Sequence, residues 1–385
     1  MKGIRLLNVV PTLLCGGTEN HFMTLARSLD SARFDLQFAC LRKWGPFVAE
    51  LAELKIPLVE YRVATFRSLN ALVQQARLAR HVRQHAVQIV HTYSFYGNVF
   101  AIPPARFAAP VVIASIRDRG PYLTPMQRRV QRHVCRLADC VLVNAEAVKT
   151  WLVDDGYDPS NIVVIPNGVD LRRFAEMGNR DETRRSMGIP EGARLVGVVS
   201  RVSRLKGIED FIDAAAMVAA KQPDVRFVVV GEPSPIHNVE YVDELAARAR
   251  SLGIGDKVIF TGLRSDVPAV LGALDVSVMP SLNEALSNVL LESMAAGAAV
   301  VATDVGGTAE ALTNGANGLL VQPGRPEMMA AAIEQLLATP ALARRLGATA
   351  RKTIQDRFSL DRMVAATEAL YDHLLSAKHR TVAAA

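Results

Sequence analysis

The sequence has few cysteines and no long apolar run, and each absence excludes a class of protein. Half of the 385 residues are hydrophobic, yet no apolar stretch approaches the roughly 20 residues that a membrane-spanning helix needs. The short apolar run before Cys15 resembles a secretory signal, but Pro11 interrupts it and Leu14 stands where a small residue is needed. We therefore expect a first strand that runs into a glycine loop, in a protein without a membrane span.

The four cysteines indicate a reducing compartment. Cys15, Cys40, Cys135 and Cys140 have neither the spacing of a disulfide framework nor that of zinc ligands. We expect ordinary packed thiols and a cytoplasmic location.

Positive charge is concentrated in the first half of the chain. Residues 1–180 hold 23 Lys and Arg against 14 Asp and Glu, whereas residues 181–385 hold 21 against 24. This asymmetry indicates an anionic partner for the first half, either nucleic acid or a membrane surface. The basic residues lie between the elements of a patterned α/β chain without a nucleic-acid-binding module, so we expect no nucleic acid.

Short β-branched runs alternate with helical stretches through most of the chain. Continuously apolar strands separated by helices predict parallel sheets covered on both faces, and the length suits two domains. We predict two doubly wound α/β domains, residues 1–185 and 186–360, followed by a helical segment at 361–385 with a disordered end. The predicted strands are 4–10, 35–41, 89–91, 111–116, 140–143, 162–165, 195–200, 226–230, 257–260, 276–279, 299–302 and 318–320.

Two glutamates follow the predicted strand 276–279. Glu284 lies in the loop, Ser287 is a suitable N-cap, and residues 288–296, including Asn288 and Val289, form the next helix. The amino end of that helix is a natural phosphate site, and Glu292 is placed to bind a ribose diol. The alternative is two solvated glutamates.

Two further loops carry candidate ligand-binding residues. Arg201 and Lys206 follow the first strand of the second domain, where two cations suit a diphosphate; a solvated basic loop is the alternative. Gly16 and Gly17 follow the first strand of the chain and allow close approach of a ligand or positive φ, although such a pair is often only a turn.

In this order, the motifs resemble the retaining glycosyltransferases of family 4. The resemblance rests on Glu284 and Glu292 with Met-Ala-Ala-Gly after them, on Glu310 beyond Val-Gly-Gly, and on the segments at 16–20, 144–148 and 166–170. It covers nearly the whole chain. It implies the GT-B architecture, in which an N-terminal acceptor domain and a C-terminal donor domain face a central cleft, and a last helix that crosses back to the first domain.

The resemblance also implies a function. A hexose would pass from a UDP- or GDP-sugar to a glycan or lipid-linked acceptor without a metal ion or other cofactor, in the synthesis of bacterial surface polysaccharide. Arg201 and Lys206 would neutralise the leaving diphosphate, Glu284 would orient the sugar, and Gly16 and Gly17 would line the donor site. The alternatives are a GT-B epimerase or hydrolase of nucleotide sugars and a two-lobed sugar-binding protein without catalysis.

The chain departs from the family pattern at the acceptor side. Many relatives have a histidine after the strand 111–116, where this chain has Arg117 and Asp118. Either residue is a candidate to position the acceptor, and a structural ion pair is the alternative. His91 ends another strand and is either an acceptor-side residue or a core histidine. Ala285 replaces a glycine that is frequent in relatives.

A basic helix is predicted at residues 127–136. Arg128, Arg132 and Arg136 are spaced by four residues and would share one face, with Arg129 and His133 beside them. Such a face would dock peripherally on anionic lipid at the inner side of the cytoplasmic membrane, or it is simply a solvated helix face.

Overall fold

The computed structural model contains two compact units. It describes residues 3–66, 68–120, 122–233 and 240–383, without the side chains of residues 379 and 381–383. The first unit comprises Met1–Asn167 and Met363–Ala385, and the second comprises Gly168–Arg362. The second unit therefore begins before the boundary at 185/186 that the sequence predicts. The residues just before that boundary contact the second unit: Arg184 donates to the carboxylate of Asp275 at 2.9 Å. Of the tail predicted to be disordered, residues 384 and 385 lie outside the described residues.

The first unit is built on a seven-stranded sheet whose paired strands are parallel. Its strands are β1 (Ile4–Val10), β2 (Phe34–Cys40), β3 (Leu58–Glu60), β4 (Ile89–Tyr93), β5 (Val111–Ile116), β6 (Cys140–Val143) and β7 (Ile162–Val164). Its helices are α1 (Gly17–Ser28), α2 (Phe47–Glu53), α3 (Leu69–Gln84), α4 (Ser94–Arg106), α5 (Pro125–Cys135) and α6 (Glu146–Asp154).

The second unit is built on a six-stranded sheet, also with parallel pairing. After helix α7 (Arg180–Ser186), its strands are β8 (Arg194–Val199), β9 (Val225–Val230), β10 (Val258–Gly262), β11 (Val276–Met279), β12 (Ala299–Thr303) and β13 (Leu319–Val321). Its other helices are α8 (Ile208–Lys221), α9 (Tyr241–Ser251), α10 (Val267–Ala273), α11 (Asn288–Ala295), α12 (Thr308–Ala311), α13 (Pro326–Ala338) and α14 (Pro340–Arg357).

The strand predictions agree with the observed sheets to within a few residues at each end. Every residue of β5, β6, β11 and β12 is buried, as expected for strands covered on both faces. The short β3 was not predicted, because its three residues are only partly buried and give no long apolar signal.

Strand order defines one switch point in each sheet. In the first unit the order β3-β2-β1-β4-β5-β6-β7 reverses direction between β1 and β4, and in the second the order β10-β9-β8-β11-β12-β13 reverses between β8 and β11. Loops that leave the carboxyl ends of two such strands diverge and leave a crevice in which open α/β sheets bind their ligands. The loops after β1, β4, β8 and β11 are therefore where a ligand is expected.

The last helix, α15 (Leu360–Ala383), ties the end of the chain to the first unit from Met363 onward. Arg33 contacts Glu368 at 2.5 Å and Asp372 at 2.8 Å, and Lys378 contacts Asp139 at 2.5 Å. Tyr371 is fully buried in the same unit. In the described part of the chain, no helix is both long and apolar enough to cross a bilayer.

Replacing Gly347 in α14 with alanine should destabilise the second unit. A Cβ at this position would lie 2.1 Å from the carbonyl oxygen of Gly297, so the helix must move away. We expect a loss of about 1–3 kcal/mol in the free energy of unfolding by urea, although alanine normally favours a helix over glycine by about 1 kcal/mol. Gly272→Ala is the matched control, because its Cβ would meet the flexible side chain of Met177 at 3.2 Å. A Gly347→Ala protein as stable as wild type would contradict the close packing.

Candidate active site

Two loops meet at the switch point of the second sheet. One follows β8 and contains Arg201 and Lys206, and the other follows β11 and contains Glu284. The strands are adjacent in the sheet, and the amide of Leu282 donates to the carbonyl of Leu205 at 2.9 Å. The predicted residues of both loops therefore share one edge of one sheet.

Two glycines allow these loops to approach so closely. Gly207 has φ +60°, and a Cβ there would lie 2.1 Å from the carbonyl oxygen of Pro280. Gly306 has φ +54°, and a Cβ there would lie 1.9 Å from the carbonyl oxygen of Glu284. Any side chain at either position would push the loops apart, so the glycines are required by backbone contact as well as by their left-handed conformation.

Lys206 and Glu284 form an ion pair in this edge. The Lys206 ammonium lies 2.5 Å from Oε1 of Glu284, and the hydroxyl of Ser281 donates to the same oxygen at 2.7 Å. The Lys206 side chain is 22% exposed and that of Glu284 is 11% exposed. Glu284 is thus a half-buried, oriented carboxylate, and the alternative of a freely solvated glutamate is wrong.

The other predicted donor residues lie around this pair. Arg201 is exposed, and its guanidinium has no hydrogen bond or ion pair to the residues that the structure describes. Ser287 is the N-cap of α11, as predicted, and its hydroxyl accepts from the amide of Leu290 at 3.3 Å. Asn288 and Val289 form the first turn of the helix, which puts its amino end on the loop that contains Glu284.

Glu292 has a partner that the sequence did not reveal. Its Oε1 accepts from Nη1 of Arg173 at 3.1 Å, and its side chain is 19% exposed. The surrounding protein raises the pKa of the Glu292 carboxyl, and the Arg173 guanidinium opposes that shift. No local signal marks Arg173, which lies 119 positions away in sequence.

The glycine loop of the first unit begins α1. Gly16 is the N-cap with φ −168°, an extended conformation, and Gly17 is the first helical residue. Neither glycine has positive φ. The pair is therefore not required for a left-handed backbone conformation. A Cβ at Gly16 would instead lie 2.4 Å from the carboxylate of Glu19, so the glycine leaves room for that side chain.

His91 and Arg117 belong to one buried polar cluster of the first unit. His91 is fully buried, its Nδ1 lies 2.8 Å from the hydroxyl of Tyr371 and 3.2 Å from that of Tyr93, and its ring stacks on Tyr93. Arg117 is 8% exposed, and its Nη2 donates to the side-chain oxygen of Asn167. His21 was not predicted as a site residue. It is also buried, and the charge of Arg117 contributes to lowering its pKa.

Burial controls the charges in this cluster. It lowers the pKa of His91 to about 3 and that of His21 well below its usual value, and the Arg117 charge adds to both shifts. Both imidazoles are therefore neutral at pH 7. Burial also lowers the pKa of Arg117, to about 10, which still leaves its guanidinium charged.

Asp118 does not belong to this buried cluster. It is exposed, and its Oδ1 accepts from the amide of Gly120 at 2.7 Å. In the described part of the chain, neither Asp118 nor Arg117 forms an ion pair, so the structural ion pair considered for these residues is not observed. The structure thus brings Arg117 and His91 together and leaves Asp118 in a turn.

The basic helix α5 is present, but its exposed face differs from the predicted one. Arg132 donates to the carbonyl oxygen of Asp155 and lies 3.9 Å from its carboxylate, so it is anchored within the unit. Arg128 is half-buried. The exposed basic residues are instead Arg129, His133 and Arg136.

No acidic or thiol cluster suits a metal ion in the described ranges, where no group of three His, Cys, Asp or Glu side chains has the required arrangement. The independence from metal implied by the family resemblance remains a prediction.

Unfolding of the first unit should depend on pH through its buried histidines. Since the folded protein excludes a proton that the unfolded chain binds below about pH 6.5, the free energy of unfolding should fall as the pH decreases from 6.5 to 5, by about 1.4 kcal/mol per pH unit for each such histidine. In His91→Gln this slope should decrease by the contribution of one proton. Urea titrations at several pH values measure the slope, and an equal slope in wild type and His91→Gln would contradict the assignment.

Comparison with known proteins identifies both units. The family described as "Glycosyltransferase Family 4" matches residues 15–173, and "Glycosyl transferases group 1" matches residues 179–353. The chain resembles D-inositol 3-phosphate glycosyltransferases: it is 33% identical to that of Geodermatophilus obscurus over 79% of this chain and 71% of the relative, and 32% identical to that of Kineococcus radiotolerans over 72% and 69%. With the Corynebacterium urealyticum protein it is 34% identical over 59% of this chain, and there it spans only 56% of the relative's length.

Solved structures share the fold. HepE of Anabaena in complex with UDP superposes with a TM-score of 0.87 at 23% identity, covering 96% of this chain and 100% of that one. A glycosyltransferase of Rickettsia africae superposes with a TM-score of 0.85 at 22% identity, covering 97% and 99%. The α/β fold predicted from the sequence is therefore that of the GT-B enzymes, and the chain belongs to the retaining glycosyltransferases of family 4.

Proposed function

We propose that this chain transfers a sugar from a nucleoside-diphosphate donor to an acceptor hydroxyl with retention of anomeric configuration. The observation that supports this most strongly is the juxtaposition of Lys206, Glu284 and the amino end of α11 at the switch point of the second sheet. A diphosphate needs cations and amide donors, and a sugar needs an oriented carboxylate.

The ion pair suggests how donor binding would proceed. The donor diphosphate would compete with Glu284 for the Lys206 ammonium, and Arg201 would add a second cation from the same loop. Glu284 would then accept hydrogen bonds from sugar hydroxyls. By the same exchange, a ribose diol would take the place of Arg173 on the Glu292 carboxylate.

In the transfer itself, the acceptor oxygen forms a bond to the anomeric carbon while the bond from that carbon to the diphosphate breaks. The hydroxyl proton leaves with the diphosphate. Arg201, Lys206 and the α11 amides would stabilise the negative charge that develops on the leaving group. One such preorganised donor accounts for about 10²–10³ in rate in other enzymes.

UDP-glucose is a suitable first donor because HepE has been crystallised with it, and GDP-sugars are the comparison. The names of the relatives make a phosphorylated polyol such as D-inositol 3-phosphate the first acceptor to test. The surface-polysaccharide acceptors that the sequence suggested are the second class. Release of free sugar or of an epimerised donor as the main product would favour the hydrolase or epimerase alternative.

Lys206→Ala should lose the stabilisation that a nucleotide gives to the wild-type protein. A ligand present at a hundredfold excess over its Kd stabilises the folded state by about 2.7 kcal/mol, which shifts the melting temperature. We expect UDP or GDP to produce this shift in the wild type in excess chelator, and Lys206→Ala to abolish it together with transfer. The control Lys221→Ala removes an exposed lysine that pairs with Glu334 in the same unit, and should behave as wild type. Equal shifts in both variants would refute the proposed diphosphate site.

An anionic membrane surface is proposed as the partner of α5. Beside its exposed basic residues the helix exposes Met126 and Val130, which are 64% and 37% exposed, and Tyr122 just before it is 78% exposed. Within Pro125–Cys135 there is no acidic residue. Apolar and cationic side chains on one exposed face suit the headgroup region of anionic lipid.

Vesicle flotation tests this partner. Each basic residue near an anionic surface contributes about 1 kcal/mol, so the double variant Arg129→Gln/Arg136→Gln should bind phosphatidylglycerol vesicles about 30-fold more weakly than wild type. The control Arg80→Gln/Arg83→Gln makes the same charge change on exposed residues of α3. Two results would exclude α5 as the docking surface: wild-type binding that does not depend on anionic lipid, or equal binding of the two double variants to the vesicles.

A further inference from the structure

Arg117 is a buried cation without a counter-charge. The residue is 8% exposed, and its Nη2 is bonded to the neutral amide of Asn167. Its Nη1 is buried and has no hydrogen-bond partner. No carboxylate pairs with it among the described residues. By contrast, the Arg184 side chain, which is 12% exposed, contacts the carboxylate of Asp275 at 2.9 Å.

The groups around Arg117 do not neutralise it. The titratable side chains that interact with it are His21, His91 and Tyr93, and all three are neutral at pH 7. The cluster therefore has a net charge of +1 in the interior of the unit. Burying an unpaired charge is strongly unfavourable, and natural proteins normally pair it, bond it fully or use it to bind an anion.

The same cluster contains a second polar nitrogen without a partner. His91 Nε2 is buried and unbonded, while Nδ1 faces the hydroxyls of Tyr371 and Tyr93. If Nδ1 accepts from one of these hydroxyls, the neutral ring has its proton on Nε2, which is then a free donor. Both free groups, Arg117 Nη1 and His91 Nε2, are thus suited to an acceptor atom and not to another donor.

The position in the fold agrees with a ligand. Arg117 directly follows β5, and β5 pairs with β4, one of the two strands at the switch point of the first sheet. At that switch point, Ser94 has φ +61° immediately after β4, an uncommon conformation for a residue other than glycine. Ligands of open parallel sheets bind at this edge.

We infer that Arg117 binds a phosphate group of the acceptor substrate, which supplies the counter-charge that the protein lacks. A forked guanidinium suits a phosphate. This inference rests on the proposed transferase function and deepens it, because it assigns the acceptor to the class of anionic hydroxyl compounds. It also gives a physical reason for an arginine where many relatives have histidine.

Calorimetric titration tests the inference without catalysis. D-inositol 3-phosphate and unphosphorylated myo-inositol are titrated into the full-length protein with UDP present. We expect the wild type to prefer the phosphate ester and Arg117→Gln to bind it about 30-fold more weakly, the lower range for removal of one partner of a buried charge pair. Affinity for UDP should not change. Arg80→Gln, an exposed change of equal charge in the same unit, should keep the preference.

The outcomes separate the two proposals. A wild-type protein that binds UDP without preferring the phosphate ester, or an Arg117→Gln protein that keeps the preference, would overturn the anion site and leave the transferase proposal standing. If no nucleotide binds, the transferase proposal is wrong. Arg117 can still be tested in that case, by measuring whether inorganic phosphate raises the melting temperature of the wild type more than that of Arg117→Gln. If Arg117→Gln does not fold, Arg117→Lys keeps the charge without the fork and should show a weakened preference; an unchanged preference would count against the site.

Discussion

The close approach of two loop backbones is the constraint on which the arrangement of charged residues at the edge of the second sheet depends. Gly207 lies against the carbonyl of Pro280 and Gly306 against that of Glu284, with no room for a side chain at either place. This contact brings the Lys206 ammonium within 2.5 Å of the Glu284 carboxylate although the residues are 78 positions apart. The charged groups of the site are therefore positioned by backbone contact, and the ion pair forms between elements that are already held.

The two units treat buried charge in opposite ways. In the second unit the half-buried carboxylates Glu284 and Glu292 each have a cationic partner. In the first unit Arg117 has only an amide partner and neutral rings around it. A paired site is stable when empty and must exchange partners on binding, whereas an unpaired cation gains its first counter-charge from the ligand.

Much of the fold could be predicted from the sequence because parallel strands buried on both faces are continuously apolar, as in β5 and β11. The N-cap Ser287 and the loop position of Glu284 followed from the same local reasoning. The pairs Arg173–Glu292 and His91–Tyr371 could not be predicted, since they join residues 119 and 280 positions apart. The exposure of Arg132 was predicted wrongly for the same reason. A helical repeat shows which residues share a face, but not that one of them donates to the carbonyl oxygen of Asp155.

The path of the chain has a consequence for synthesis on the ribosome. The second unit is one continuous stretch, whereas the first needs the segment after Met363 for its buried Tyr371 and for the partners of Arg33. Domains usually fold in the order in which they emerge, amino-terminal first. Here the unit that is translated first cannot complete its core until α15 has been made, so its folding cannot finish in the order in which its residues emerge.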